Sequence, residues 1–176
     1  MKVITLTVSA LLALVAFAST TAFSQSAAPN DAQIAGIVVA ANTVDIDAGK
    51  LAEGKARGKE VKQFAQQMVT DHTGVNKQAT ALVQKLKVTP EDSATSKSLK
   101  DAGKTNEDKL KSLTGKDFDK AYVDNEVTYH QVVIDALDKT LIPNAKNAEL
   151  KDLLVKVRPA FVAHLEHAKQ VQLSLK

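Results

Sequence analysis

Three histidines and one aspartate lie on the apolar faces of four separate amphipathic segments, each near the middle of its segment. They are Asp45, His72, His130 and His164. A polar side chain buried in a helix is costly unless a partner satisfies it. Side chains at one height on facing helices converge, and helix bundles hold metal ions in this way. The pattern therefore predicts a metal site in the middle of a bundle.

The predicted ligand set suits a transition metal. Imidazole nitrogens with one carboxylate favour zinc, iron, copper or manganese, and disfavour calcium and magnesium. Metal-bound histidines usually donate their second N–H to an acceptor. Asp71 can orient His72 in this role, and Glu126, one turn before His130, can pair with it. His167 either adds a ligand or faces solvent.

The same residues allow two other interpretations. A single histidine in a helical core usually forms a hydrogen bond with a neighbour. The four residues would then form a buried polar network without a metal, in a non-enzymatic envelope protein that binds a partner or protects against stress. A b-type haem held by two histidines is a third interpretation. No catalytic residue is predicted, because no Ser–His–acid arrangement, phosphate-binding glycine loop or cysteine nucleophile stands out.

Four long helices are predicted to position these residues, because apolar residues recur at spacings of three and four. Asn30 and Gln33 form a capping-box pattern at the first helix, and Pro90 follows the second. The four helices are predicted from Asn30 to the glycines at 54 and 58, from Lys59 to Lys87, from Asp117 to Leu141 and from Asn147 to Leu175.

The connection between the second and third helices, from Pro90 to Gly115, is long and polar. Its few apolar residues fit one face of a thin surface helix over Lys97–Leu113. A tight turn between antiparallel helices needs only a few residues. We therefore expect this connection to travel the length of the bundle.

The first residues predict export. Lys2 gives a basic start, Val3–Ala18 is almost wholly apolar, and Ala22-Phe23-Ser24 offers a cleavage site for signal peptidase. No other stretch approaches the length of a spanning helix. The chain has no cysteine, which excludes a lipoprotein and any disulfide. We expect a periplasmic or secreted protein, with a Sec-type signal peptide over residues 1–24, a flexible leader over 25–29 and one helical domain over 30–175.

Charge and composition argue against a nucleic-acid partner. The sequence has 23 basic and 20 acidic residues, and aromatic residues make up 4% of it. Only Arg57 and Arg158 are arginines, and no basic patch stands out. The interleaved charges are typical of a solvated helical surface. A protein partner and the oligomeric state are left open.

Several segments together resemble a bacterial family of exported ferritin-like proteins. This family is catalogued as a domain of unknown function (number 4142), and its members are often labelled outer-membrane proteins. The resemblance covers nearly the whole chain after Asn30 and implies a ferritin-like four-helix bundle whose long second connection crosses the bundle. The segments that carry it are Phe64–His72 (FAQQMVTDH), Phe118–Tyr122 (FDKAY), His130, and Pro159 with His164-Leu165.

The carboxylates of this sequence differ from those of the resembled family and from those of true ferritins. Members of the family usually carry glutamate where this chain has Asp45 and Asp47, and the shorter side chain keeps the charge. True ferritins carry Glu-x-x-His pairs on two helices, whereas this chain has Glu126-x-x-x-His130. A carboxylate-bridged di-iron centre is therefore not expected. We expect instead a mononuclear site that is rich in histidine.

Overall fold

The protein is an all-helical bundle, as predicted. A computed structural model describes residues 28–175, and this part of the chain contains no strand. The predicted signal peptide lies outside the described residues. A π-helical turn at Leu137–Leu141 continues the fourth helix into the short fifth one. The helices are α1 (Asp31–Lys55), α2 (Lys59–Leu86), α3 (Ala94–Ser112), α4 (Gly115–Ala136), α5 (Ile142–Asn144) and α6 (Ala148–Ser174).

Capping side chains fix where these helices begin. At α1, the Asn30 side chain accepts from the Gln33 N–H at 2.8 Å, and the Gln33 side chain accepts from the Asn30 N–H at 3.1 Å. This is the predicted capping box, which satisfies two backbone donors. Ser93 and Ser96 form the same arrangement at α3. This second box begins α3 before the predicted Lys97.

The long connection crosses the bundle, as predicted. At its start, the Glu91 N–H donates to the Ala32 carbonyl at 3.0 Å, near the beginning of α1. At its end, the Lys55 ammonium donates to the carbonyls of Leu110 at 3.3 Å and Lys111 at 2.6 Å. Helix α3 therefore runs along the whole of α1. This is the arrangement that the ferritin-like resemblance implies, with α1, α2, α4 and α6 as the four long helices.

Two carboxylates tie the ends of the bundle together. Buried Asp119 of α4 accepts from the backbone N–H groups of Arg57 at 3.0 Å and Gly58 at 2.7 Å, which holds the α1–α2 turn. At the opposite end, Asp31 accepts from the N–H groups of Lys146 at 2.8 Å and Asn147 at 2.9 Å. These bonds fix the heights of α1, α4 and α6 relative to one another.

The core consists of two apolar clusters with a polar layer between them. Met68 of α2 belongs to one cluster and Val75 to the other, and His72 lies between them along the helix. Burial of each large apolar side chain contributes about 1.5–3 kcal/mol. The polar layer consists of buried Asn42, Asp45, His72, Glu126, His130 and His164.

Helix α1 is buried on more of its surface than its predicted apolar face. Ala35, Ile46 and Gly49 are also buried, and Gly49 packs against α2, where an added Cβ would lie 2.9 Å from a methyl carbon of Val69. Val44 is half-buried and packs on Gly103 of α3, where an added Cβ would lie 2.7 Å from the valine methyls. None of the described helices combines the length and the apolar character needed to cross a membrane.

Candidate metal centre

The three predicted histidines meet between α2, α4 and α6. The rings of His72, His130 and His164 offer ligand nitrogens that all lie within 4.8 Å of one another. The ring centroids are 5.2–5.5 Å apart, and all three side chains are buried. Ligand atoms about 2 Å from a shared ion are expected within about 4–5 Å of each other. The spacing therefore suits a common ion.

Asp45 brings a carboxylate from α1 to the same point. Its Oδ2 lies 3.0 Å from His72 Nε2 and 3.4 Å from His130 Nε2. Asp45 also forms a second converging set with His130 and Glu126, whose ligand atoms lie within 4.8 Å of one another. The predicted ligands thus lie in two neighbouring sets that share His130, one of three histidines and one with Asp45 and Glu126, and Asp45 also contacts His72.

Each histidine uses its outer nitrogen in a hydrogen bond to an acceptor. An acceptor at one nitrogen requires the proton to be on that nitrogen, which leaves a lone pair on the other nitrogen of the neutral ring. The three bonds are His72 Nδ1 to Asn42 Oδ1 at 2.8 Å, His130 Nδ1 to the Glu126 carbonyl at 3.0 Å, and His164 Nε2 to Asp71 Oδ2 at 2.9 Å.

The amide of Asn42 has a defined orientation. Its Nδ2 donates to the Val38 carbonyl at 2.8 Å, which leaves Oδ1 to face His72. His72 Nδ1 must therefore be the donor, because an amide oxygen only accepts. The tautomer of His72 follows from this backbone contact one turn earlier in α1.

The inner nitrogens have no such partner. His72 Nε2, His130 Nε2 and His164 Nδ1 are buried and make no hydrogen bond with any described residue. Both carboxylate oxygens of Asp45 are likewise buried, and a protonated Glu126 carboxyl is the neighbour that can donate to them. The 3.0 Å contact between Asp45 and His72 is short, but it is not aligned as a hydrogen bond. Three lone pairs and a carboxylate thus face one another.

Burial opposes charge on every one of these groups. It raises the pKa of Asp45 to about 7 and that of Glu126 well above its usual value, the latter also because the two carboxylates repel. Burial and the neighbouring imidazoles hold the pKa of His72 well below its usual value. Burial lowers the pKa of His130 to about 4 and also lowers that of His164. Without a cation, Asp45 and His72 are therefore not an ion pair, despite their distance.

The supporting residues are only partly as expected. Glu126 does pair with His130, through its carbonyl and with its carboxylate at 3.5 Å. Asp71 does not orient His72; it accepts from His164 on α6 instead. Neighbouring residues in a helix point about 100° apart, so Asp71 and His72 cannot face the same side. His167 belongs to neither converging set, and its Nδ1 contacts Gln67 at 3.0 Å.

Sequence reasoning missed two residues of the centre. Asn42 stands four residues after Val38 on the buried face of α1, a spacing that could have identified it. Phe161 is not among the predicted site residues, yet its ring centroid lies 5.1 Å from that of His72 and 6.2 Å from those of His130 and His164. It forms an apolar wall against all three imidazoles.

A family model described as Domain of unknown function (DUF4142) matches residues 16–171. The match begins inside the predicted signal peptide and includes all four predicted ligands. No curated protein and no solved structure gave a significant match to the chain. The matched range covers most of the sequence, so this chain belongs to the family described as Domain of unknown function (DUF4142).

Proposed function

We propose that the protein binds one transition-metal ion through His72, His130, His164 and Asp45. The observation that carries this proposal is that the two nitrogens of each imidazole have different roles. Each ring donates outward to an acceptor and presents its remaining lone pair, buried and without a donor, to the same point. Ligating histidines characteristically donate their other N–H to a carboxylate or a carbonyl.

A metal-free polar network accounts less well for the same groups. The ring nitrogen nearest to a proton on Asp45 is His72 Nε2 at 3.0 Å, and this contact is not aligned as a hydrogen bond. The inner nitrogens of His130 and His164 would still lack a donor among the described residues. Each such group costs about 1–3 kcal/mol when buried and unpaired. One cation satisfies all of them and keeps the carboxylate ionised.

The ligand types narrow the choice of ion. Three nitrogens and one carboxylate oxygen suit zinc, iron or manganese, and they disfavour calcium and magnesium. Four protein ligands complete a tetrahedral zinc site, and such closed sites hold an ion without an open position for a substrate. Glu126 provides a further carboxylate for an ion of higher coordination number. We accordingly propose metal binding, with no catalytic step.

A bis-histidine haem fits the cluster poorly. The three rings pack against one another with their centroids 5.2–5.5 Å apart, and Phe161 packs against the same rings. A planar porphyrin between two of these imidazoles would have to displace the third.

Elemental analysis tests the proposal directly. Protein purified without chelator is expected to contain about one zinc, iron or manganese ion per chain and to lose it on chelation. A variant with alanine at positions 72, 130 and 164 should contain none. His167→Ala is the matched control, because this histidine lies outside both converging sets. Metal-free wild-type protein that also fails to bind any of these ions on titration would refute the proposal.

We also propose that the site operates outside the cytoplasm. The basic start, the apolar stretch Val3–Ala18 and the small residues before Gln25 support this proposal. The full chain, expressed in a bacterium with a Sec pathway, should appear in the periplasmic fraction with a new N-terminus near Gln25. Retention of the intact chain in the cytoplasm would contradict it.

A further inference from the structure

An apolar cavity lies beside the histidine cluster. Its volume is about 90 Å³, and it lies among α1, α2, α3, α4 and α6, next to the π-helical turn. Most of its walls are aliphatic side chains. Those that define it include Ile37, Val38, Val75, Val133, Leu137 and Leu154.

The cavity offers little to a water molecule. The polar residues in its walls are Asn42 and Thr95. Both polar atoms of the Asn42 side chain are already engaged, with the Val38 carbonyl and with His72. Thr95 lies at the exposed rim. An ordered buried water needs two to four polar partners, and apolar cavities without them stay dry. The chemistry of the walls therefore selects an apolar occupant.

The size of the cavity limits that occupant to a few atoms. An apolar cavity of about 150 Å³ lined by leucine, isoleucine and phenylalanine binds benzene or xenon. At about 90 Å³, this cavity is smaller. Xenon and diatomic molecules are small enough, whereas larger rings and acyl chains are not.

The position of the cavity connects it to both the surface and the histidines. At its outer side lie Thr95 and Val132, and the Val132 side chain is 54% exposed. At its inner side lie Asn42, which holds His72, and Phe161, whose ring centroid is 5.1 Å from that of His72. An occupant would thus be separated from the imidazoles by the thickness of one side chain.

We propose that this cavity binds a small apolar molecule in the size class of dioxygen. The site is distinct from the proposed metal ligands, and it does not require an ion to be present. It places a dissolved apolar molecule behind Phe161, adjacent to the three imidazoles.

Xenon is the probe, detected by anomalous scattering in crystals under xenon pressure and by xenon NMR in solution. We expect one xenon atom near Val38, Leu137 and Leu154 in wild-type protein. Ala136→Leu extends a side chain into the cavity and should remove this binding. Ala163→Leu, at an exposed position of α6 outside the cavity wall, should leave it unchanged. Should Ala136→Leu fail to fold, Val133→Ile adds one carbon to the same cavity and should weaken binding.

Absence of xenon from the wild-type cavity, ordered water inside it, or equal binding to the filled variant would overturn the inference. Metal analysis of the same samples separates it from the proposed function. Xenon binding without a metal leaves the cavity site standing alone. A bound metal without xenon in the cavity leaves only the metal site.

Discussion

Asp71 Oδ2 accepts the Nε2–H of His164 at 2.9 Å, across the interface between α2 and α6. The Asp71 side chain is 41% exposed, whereas that of His164 is 4% exposed. A half-exposed carboxylate therefore holds the outer nitrogen of a buried imidazole. Because this bond fixes the tautomer, it leaves the lone pair on the buried Nδ1 of His164. The contact joins the candidate centre to a residue at the protein surface.

Replacing Asp71 with alanine should weaken metal binding without removing a ligand. Loss of a partner that orients a ligating histidine typically costs 10–100-fold in affinity, so a decrease of about that size is expected. Asp71→Asn keeps an acceptor and should show a smaller decrease. Competition with a chromophoric chelator measures both. Asp47→Ala is the control, since this aspartate is exposed on α1. Unchanged affinity in Asp71→Ala would show that the contact between Asp71 and His164 does not support metal binding.

Asn42→Leu should affect both stability and metal binding. The variant keeps the approximate shape of the side chain but leaves His72 Nδ1 without its acceptor at 2.8 Å. An unpaired buried donor costs about 1–3 kcal/mol. Urea unfolding in the presence of chelator measures this cost, and competition titration should show weaker metal binding. Asn106→Leu, on α3, is the control. Equal unfolding free energies for Asn42→Leu and wild type would mean that the contact contributes nothing.

Most of the fold could be predicted because its signals are local. Spacings of three and four in the apolar residues identify each helix, and Asn30 and Asn147 cap α1 and α6 as expected. The height of a mid-helix residue does not depend on the direction of its helix. This is why Asp45 and the three histidines could be placed together before any packing was known. The length of the second connection similarly indicated a crossing.

What the sequence could not predict depends on which neighbour each side chain meets. Asp71 and His72 are adjacent in the chain, yet they serve different histidines, because each points to a different helix. Val44 follows Ala41 by three residues, a spacing that favours the core, yet it is half-buried and packs on Gly103 of α3. The packing of Gly103 on Val44 joins α3 to α1, and periodicity does not encode this contact.

Two glycine substitutions should separate packing from helix propensity. An added Cβ at Gly36 of α1 would lie 2.1 Å from the Glu91 carbonyl oxygen, in the connection that packs on α1. Gly36→Ala should therefore destabilise the protein by about 1–3 kcal/mol, as overpacking does. Gly74 of α2 has no such neighbour within 4 Å. Gly74→Ala should stabilise the protein by up to about 1 kcal/mol through helix propensity.

Urea unfolding of both variants measures these effects. Equal, favourable effects of the two alanines would show that the connection does not approach α1 as closely as described. A second substitution at residue 91 should not restore the stability of Gly36→Ala, because the added Cβ meets the backbone of Glu91 and not its side chain.

Metal affinity should fall with pH below about 7. The ion requires an ionised Asp45, and burial raises the pKa of this carboxyl to about 7. Below that pH, binding must release a proton from Asp45, so affinity should decrease by up to about tenfold per pH unit. The pKa of His130 is lowered to about 4, so its imidazole is already neutral over this range. Competition titrations at pH 8, 7, 6 and 5 measure the slope. A flat profile would exclude Asp45 as a ligand.

Asp45→Asn should destabilise the protein when the metal is bound and stabilise it when the metal is removed. In chelated wild-type protein the folded-state pKa of Asp45 is about 7, above the usual 3.8, so the folded state binds this proton more tightly than the unfolded state. The contribution of this protonated carboxyl to the free energy of unfolding is fully present below about pH 4, and it is lost as the pH rises to 7. Asparagine does not ionise, and its neutral amide keeps the approximate shape of the carboxyl. At pH 8 with chelator, Asp45→Asn should therefore be more stable than wild type, by about 1–4 kcal/mol.

With zinc in excess, the wild type should be more stable than Asp45→Asn. Only the wild type supplies the anionic ligand, and binding of the ion stabilises the folded state. Urea unfolding at pH 8, with chelator and with zinc, gives the four free energies of unfolding needed. Asp47→Asn, exposed on the same helix, should follow the wild type in both conditions. A metal-free polar network predicts that added zinc changes neither protein. The inversion therefore distinguishes an ion at Asp45 from a proton at Asp45, which are the two ways in which the buried carboxylate can be neutralised.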